Sequence, residues 1–277
     1  MDMIDTHCHI DDEVFLPELE AVIARQREAG VEAILVPGIN TQSVESVMRV
    51  CKAFPTYLYP ALGLHPEEVK NDWRDNLLHI REAISQIGCY PEAEYGVIAI
   101  GEIGLDYYWS KEFKEEQKEA FTEQLRWAVE LNLPVMVHSR DAADDTLHII
   151  RMVRQEAETK GKTLRGVMHC FSGSREFADA YIQMGWYLGI GGVITFKNCK
   201  LAQTLFPSNE RLTSVPLSQL VLETDAPYMT PVPYRGKPNE SRFLKYVVRK
   251  LSETYGVSEN EVIELTNRAS RTLFGIK

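Results

Sequence analysis

Eight short apolar runs, rich in β-branched residues, recur along the 277-residue chain and restrict the folds open to it. The stretches between them have helical spacing, as at Phe15, Leu19 and Val22, which stand at i, i+4 and i+7. The runs are Met3–Ile4, Ala33–Val36, Leu58–Leu64, Val97–Ile103, Val135–Val137, Gly166–Met168, Tyr187–Ile190 and Leu220–Leu222. Strands that alternate with helices predict parallel pairing with right-handed crossovers. Eight units of roughly 35 residues predict an α/β fold, a (β/α)8 TIM-type barrel. Periodicity alone also allows a doubly wound sheet.

The chain has no linker rich in Pro, Gly or Ser, which predicts one domain over residues 1–277. Its five cysteines form no CxxC pair, which favours free thiols in a reducing compartment over a thiolate zinc knuckle. Acidic residues stand near the N-terminus where a signal peptide is basic, and no apolar run approaches the roughly 20 residues of a bilayer span. These features predict a cytoplasmic protein with no membrane association and no evident protein partner.

The charge balance excludes one class of nucleic-acid-binding protein. Forty acidic residues against 30 basic ones give a formal net charge of −10. A protein that coats nucleic acid non-specifically needs clustered Lys and Arg to neutralise phosphates. An enzyme that handles a phosphodiester through bound metal ions is still compatible with this composition.

Potential metal ligands fall at the ends of the predicted strands. His7 and His9 end the first strand, and residues i and i+2 of a strand point to the same face. Other candidates stand at the ends of strands three, four, five, six and eight: His65, Glu102, His138, His169 and Asp225. The carboxyl ends of all strands of a TIM-type barrel surround one mouth. The sequence therefore predicts a metal site at this C-terminal mouth.

Neighbouring strands divide these ligands into two sets. Strands one and eight are adjacent in a closed barrel, so one divalent ion is predicted to bind His7, His9 and Asp225. Strands four to six are consecutive, so a second ion is predicted to bind Glu102, His138 and His169. Glu102 can bridge the two ions, and ions about 4 Å apart fit a bridging hydroxide. Asp225 is the predicted general base, so Asp225 and Glu102 are the candidate catalytic residues of a hydrolase.

The motifs around these residues resemble those of the TatD-like metal-dependent deoxyribonucleases of the amidohydrolase superfamily. The matching segments cover nearly the whole chain in order: DTHCHIDD, GLHP, GEIGLDYY, VHSRDA, HCFSGS and LETDAPYMTPVPYRGKPNE. The resemblance implies the same six metal ligands, with His65 as a substrate contact instead. It also implies a TIM-type barrel, a cytosolic location, and a Mg²⁺- or Mn²⁺-dependent 3′–5′ exonuclease that acts on single-stranded DNA ends.

A phosphodiester substrate gives roles to residues outside the metal ligands. Arg140 in the VHSRDA motif and Arg235 in the YRGK turn are candidate substrate-binding residues, because Arg binds phosphate in a bidentate manner. His65 can donate to a phosphate oxygen. The aromatic segment Tyr107–Trp109 follows strand four, where its rings would either stack a base or pack under a loop.

Other functions fit the same residues. A small-molecule amidohydrolase or lactonase is one, although many such enzymes use a carboxylated Lys where this chain has Glu102. A D-aminoacyl-tRNA deacylase is another, because the same metal set can attack an ester. A scaffold protein with a vestigial site is the third, and the presence of Asp225 speaks against it.

The metal is predicted to be a pair of divalent ions. Four histidines among the ligands favour Zn²⁺ or Mn²⁺, because Mg²⁺ prefers an oxygen shell. The family resemblance implies Mg²⁺. We therefore expect Mg²⁺ or Mn²⁺ to support activity and Zn²⁺ or another first-row ion to occupy the purified protein.

Overall fold

The computed structural model of the protein describes residues 2–109, 111–206 and 213–276. Within these ranges, eight β-strands form one sheet and follow one another in sequence order. The strands are β1 (Met3–Asp5), β2 (Val31–Pro37), β3 (Leu58–Leu62), β4 (Ala99–Asp106), β5 (Val135–Arg140), β6 (Gly166–Met168), β7 (Tyr187–Ile190) and β8 (Leu220–Leu222). The α-helices of the described residues are α1 (Leu19–Glu28), α2 (Thr41–Ala53), α3 (Trp73–Ile87), α4 (Lys114–Leu131), α5 (Ala143–Thr159), α6 (Arg175–Gln183), α7 (Leu201–Leu205), α8 (Leu244–Tyr255) and α9 (Glu259–Phe274). Parallel strands that alternate with helices confirm the predicted fold class, a (β/α)8 TIM-type barrel.

Strands β4 and β5 end three residues later than predicted, whereas β1 ends at Asp5, so His7 and His9 follow this strand and do not end it as predicted. The sequence places Glu102 and His138 at strand ends, whereas both lie inside longer strands, β4 and β5. These strands pair as far as Asp106 and Arg140, with a shift in register between Ile100 and Ile103, and β4 is buried along its whole length. Ladder hydrogen bonds therefore continue past the polar residues, which fixes the backbone on either side of both candidate ligands.

The helices are amphipathic, as their spacing predicts. Helix α8 buries Leu244, Val247, Val248 and Leu251 along one face. Helix α9 begins with a side-chain cap, because the Ser258 hydroxyl accepts a hydrogen bond from the backbone N–H of Glu261. In the part of the chain that the structure describes, no helix combines the length and the apolar character that a bilayer span requires.

The described chain divides into two compact units. The first unit comprises residues 2–36, 170–206, 213–272 and 276, and it contains β1, β7, β8 and most of β2. Its core is built from buried strand residues such as Ile4, Ile34, Leu188 and Val221. Strand β8 lies beside β1, because the backbone N–H of Thr6 donates to the carbonyl of Leu222 at 2.9 Å. This pairing brings together the carboxyl ends of the two strands.

The second unit comprises residues 37–109, 111–169 and 273–275, and it contains β3 to β6 with α2 to α5. Its core includes Ile100, Phe121 and Val137, all fully buried. Strand β4 approaches β5 closely at Gly104, whose φ of +146° suits glycine. A β-carbon there would lie 1.9 Å from the carbonyl oxygen of His138. The glycine therefore lets the two strands meet beside a candidate ligand.

Candidate functional site

The first unit holds a cluster of two histidines and one carboxylate, which we call the first cluster: His7, His9 and Asp225. The Nε2 atoms of His7 and His9 lie 3.3 Å apart. Asp225 Oδ1 lies 3.9 Å from the His7 nitrogen and 3.7 Å from the His9 nitrogen. Ligands about 2.1 Å from a common ion stand about 3.0 to 3.6 Å from each other. The distance between the two His nitrogens lies within this range, and the two distances to Asp225 exceed it by 0.1 and 0.3 Å, so small side-chain shifts would let the first cluster hold a single divalent ion.

Backbone hydrogen bonds fix the first cluster. The carbonyl of His7 accepts from the N–H of Asp225 at 2.9 Å, and the N–H of His9 donates to the carbonyl of Ala226 at 2.8 Å. Asp225 has a φ of 56°, in the left-handed region that non-glycine residues rarely adopt. Such a conformation persists only when the surroundings impose it. The pairing of the two strand ends thus turns all three side chains to one place.

A buried carboxyl group supports this pairing from beneath. Asp5 is fully buried and accepts hydrogen bonds from the backbone N–H groups of His7 at 3.2 Å and Thr224 at 3.0 Å. It also accepts one from the Thr224 hydroxyl at 2.6 Å. Burial raises the pKa of Asp5 to about 7, although hydrogen bonds from Ser241 and Thr224 act in the opposite direction. Asp5 ties the end of β1 to the residues that precede Asp225.

The second unit holds another cluster, centred on Glu102, which we call the second cluster: His65, Glu102, His138 and His169. Glu102 is buried, and its Oε1 lies 3.1 Å from His138 Nδ1. The same oxygen lies 3.6 Å from His65 Nε2 and 3.8 Å from His169 Nε2. Donor atoms of His65, Glu102 and His138 are close enough together to hold a metal ion. The convergence of imidazoles on one buried carboxylate therefore also suits a divalent cation.

A second carboxylate orients His138. Its Nε2 hydrogen-bonds Asp106 Oδ2 at 2.9 Å, which leaves Nδ1 directed at Glu102. Burial alone would lower the pKa of His138, but its hydrogen bonds with Asp106 and Glu102 outweigh burial and raise that pKa to about 9. Metal-binding histidines commonly donate their other ring N–H to a carboxylate in this manner. In the metal-free protein, a proton therefore occupies the position between His138 and Glu102.

His65 differs from the other histidines of the second cluster. Its Nδ1 accepts a hydrogen bond from the backbone N–H of Glu67 at 3.2 Å. A neutral imidazole that accepts at one nitrogen carries its proton on the other, so Nε2 is a donor. This donor faces the cluster, which agrees with the predicted role of His65 as a substrate contact.

The structure brings the six predicted metal ligands into the two clusters, three in each, and adds His65 to the second. The two arginines predicted to bind substrate both lie over aromatic rings. The Arg140 guanidinium carbon is 3.8 Å from the centroid of the Tyr108 ring, and that of Arg235 is 4.0 Å from the centroid of Phe196. Arg235 also donates to the carbonyl of Thr230 at 3.3 Å.

Three buried acids were not singled out from the sequence: Asp5, Asp106 and Glu223. Glu223 accepts a hydrogen bond from the backbone N–H of Cys170 at 2.6 Å. Its side chain packs on Gly189, where a β-carbon would lie 2.1 Å from the Glu223 carboxylate. Their position in the sequence could have identified them, because each acid stands within four residues of a predicted ligand. A buried acid near a ligand in sequence is a candidate for its support.

Comparisons with known proteins cover nearly the whole chain. A family model described as TatD related DNase matches residues 4–275. The uncharacterized metal-dependent hydrolase YabD of Bacillus subtilis (strain 168) is 36% identical over 274 residues, which are 99% of each chain. The 3'-5' ssDNA/RNA exonuclease TatD of Pectobacterium parmentieri (strain WPP163) is 31% identical over 277 residues, 98% of this chain and 99% of that one.

A solved structure shows that the similarity extends to the fold. The crystal structure of YJJV, a TatD homolog from Escherichia coli K12, superposes with a TM-score of 0.85 at 31% identity and covers 99% of this chain and 98% of that chain. The protein therefore belongs to the TatD-related DNases, a family of metal-dependent hydrolases.

Proposed function

We propose that the protein is a metal-dependent exonuclease that hydrolyses phosphodiester bonds at single-stranded DNA ends in the 3′–5′ direction. The observation that carries the proposal is the ligand set of the two clusters, in a chain 31% identical along its length to a 3'-5' ssDNA/RNA exonuclease. The proposal includes one divalent ion for each cluster, a single domain over residues 1–277 and a cytoplasmic location.

The proposed ligands are His7, His9 and Asp225 for one ion and Glu102, His138 and His169 for the other. Bound divalent ions supply charge that activates water at neutral pH and stabilises negative charge on the phosphate. Asp225 would take up the proton that leaves the attacking water, as the general base of the reaction. Glu102 would supply carboxylate oxygens to the bound ions, a role that agrees with its position among three imidazoles. Asp106 keeps Nδ1 of His138 directed inwards.

Three cationic or donor groups are proposed to hold the substrate. His65 donates from Nε2 to a phosphate oxygen, since its Nδ1 already accepts from Glu67. Arg235 is exposed in the loop that follows β8, and the planar fork of its guanidinium suits a phosphate. Arg140, the last residue of β5, is proposed to contact the single-stranded DNA. A protein with a net charge of −10 is better suited to bind the end of a DNA strand than a long duplex. Binding at an end requires Lys and Arg to neutralise only a few phosphates.

The direct test uses protein stripped with EDTA and then supplied with Mg²⁺ or Mn²⁺. Single-stranded DNA labelled at the 5′ end is incubated beside a D-aminoacyl-tRNA, with Asp225→Asn as the inactive variant and Asp72→Asn as the matched control. Asp72 is an exposed acid before α3 that makes no side-chain cap bond. We expect a metal-dependent ladder that shortens from the 3′ end in the wild type and the control. Deacylation of the tRNA without shortening of the DNA would overturn the proposal in favour of an ester hydrolase.

A further inference from the structure

Two large aromatic side chains and one guanidinium form an exposed surface at the carboxyl ends of β4 and β5, which we call the aromatic platform: Tyr108, Trp109 and Arg140. Tyr108 is 53% exposed and Trp109 is 66% exposed. Their ring centroids lie 4.8 Å apart in an edge-to-face arrangement. The Arg140 guanidinium carbon lies 3.8 Å from the Tyr108 centroid and 5.3 Å from that of Trp109. Adjacent exposed aromatic rings commonly mark a binding surface.

The backbone beneath the aromatic platform is anchored. Asp106 Oδ1 accepts a hydrogen bond from the N–H of Tyr108 at 2.9 Å. Tyr107 is buried, and its hydroxyl donates to Asp145 Oδ2 at 2.9 Å. The Lys114 ammonium lies 4.5 Å from the centroid of the Tyr107 ring. The exposed side chains therefore project from a segment whose preceding residues are fixed, so a ligand would meet rings that are already in place.

The same anchor connects the aromatic platform to the second cluster. Asp106 holds the Tyr108 backbone through Oδ1 and the His138 ring through Oδ2. Arg140 lies two residues beyond His138 on the same strand, so their side chains leave the same face. A ligand on the platform would therefore lie next to the candidate metal ligand His138.

We infer that the aromatic platform stacks a nucleobase of the single-stranded substrate, an inference that rests on the proposed function. Base–aromatic stacking accepts any base, because every base has a π-face, and that face is free only in an unpaired strand. The flat guanidinium of Arg140 adds a cationic surface that also stacks on bases. The platform thus gives the site a preference for single strands without sequence selection, and it positions the end residue by its base as well as by its phosphate.

Intrinsic fluorescence offers a test that does not depend on turnover. The chain has four tryptophans, and the other three are nearly inaccessible: Trp73 is 5% exposed, Trp127 6% and Trp186 0%. A base that stacks on Trp109 should quench its emission. The probes are a short oligothymidylate and an abasic oligonucleotide of the same length, each titrated into metal-free protein in EDTA so that no hydrolysis occurs.

We expect the oligothymidylate to quench the emission and the abasic oligonucleotide to bind about tenfold more weakly without quenching. Trp109→Ala should weaken binding of labelled oligothymidylate about tenfold by anisotropy, whereas Trp109→Phe should retain most of the affinity and lose the quenching. Phe206→Ala removes an exposed aromatic of the first unit and should leave the affinity unchanged. The conservative Trp109→Phe variant keeps the test valid if the alanine variant folds poorly.

Equal affinity for the two oligonucleotides, or an unchanged affinity of Trp109→Ala, would overturn the inference. These results are distinguishable from failure of the proposed function. Absence of metal-dependent shortening of DNA, with base-dependent quenching retained, would count against the exonuclease and leave the stacking surface supported. Metal-dependent shortening with base-independent binding would refute the platform alone.

Discussion

The two clusters contain similar residue types, but different contacts position their side chains. In the first cluster, the donor atoms of His7, His9 and Asp225 stand 3.3 to 3.9 Å apart, at separations near those of ligands around one ion. In the second cluster, Glu102 and His138 are in direct contact at 3.1 Å, and the raised pKa of His138 favours a proton between them. The first cluster is set by backbone pairing of two strand ends. In the second cluster, hydrogen bonds between side chains orient His138 in addition to the strand pairing that fixes its backbone.

This difference has a chemical consequence. A cation can enter the first cluster with little change in the positions of its ligands. A cation that binds Glu102 and His138 must replace the proton that joins them, and metal binding that releases a proton depends on pH. We therefore expect the two clusters to bind their ions with unequal affinity. Substitution of a supporting residue should lower metal affinity more at the second cluster than at the first.

The largest effect is expected from the carboxylate of the first cluster. Asp225→Asn removes the proposed general base and should lower kcat by about 10²- to 10⁴-fold, the usual contribution of a positioned acid–base group. The amide keeps the size of the side chain, so the circular dichroism spectrum should match that of the Asp72→Asn control. Retained hydrolysis would remove Asp225 as the base.

The next effect is expected from the residue that orients His138. Asp106→Asn should weaken one of two bound metal equivalents by about 10- to 100-fold, since supporting carboxylates contribute that much to metal sites. Titration with Mn²⁺ followed by elemental analysis measures both affinities. Asp144→Asn, an exposed acid in the first turn of α5, is the matched control. Identical affinities in Asp106→Asn and wild type would show that His138 needs no such support.

A smaller effect concerns pH. The hydrogen bonds with Asp106 and Glu102 hold the pKa of His138 at about 9, so His138 is protonated at neutral pH in the metal-free protein. Affinity for the ion of the second cluster should rise about tenfold per pH unit from about pH 6.5 to about pH 8.5, because fewer protons compete. In Asp106→Asn the pKa falls, and the slope should flatten within this range. A wild-type slope of zero would contradict the protonated pair.

The smallest effect concerns the buried support of the first cluster. Thr224→Val removes the hydroxyl that donates to Asp5 Oδ2 at 2.6 Å and leaves a buried carboxyl oxygen without that donor. We expect the free energy of unfolding to fall by about 1 to 3 kcal/mol. Chemical denaturation measures this change, with Thr254→Val on the partly buried face of α8 as the control. Metal affinity at the second cluster should stay unchanged, and a loss there would contradict the separate support of the two clusters.

The fold was largely predictable from the sequence. Apolar runs located all eight strands, and β6, β7 and β8 have the predicted bounds. The ends of β4 and β5 were predicted too early, because apolar content marks burial while strand pairing continues beyond polar residues such as Glu102 and His138. The six candidate ligands could also be predicted, since strand ends of this fold class share one face.

The supporting contacts could not be predicted in the same way. Asp106 meets His138 from 32 residues away, and Thr224 meets Asp5 across 219 residues. Such contacts depend on the register between strands, which spacing along the chain does not specify. Arg140 illustrates the same limit: its residue type suggested phosphate, whereas its neighbours, the Tyr108 and Trp109 rings, suggest a base.

We propose that each cluster holds one divalent ion. Anomalous diffraction at the manganese edge from Mn²⁺-loaded crystals tests it most directly, because the signal locates each ion independently of activity. We predict two peaks, one beside His7, His9 and Asp225 and the other beside Glu102, His138 and His169. A single peak, or two peaks that lie away from either cluster, would contradict the claim.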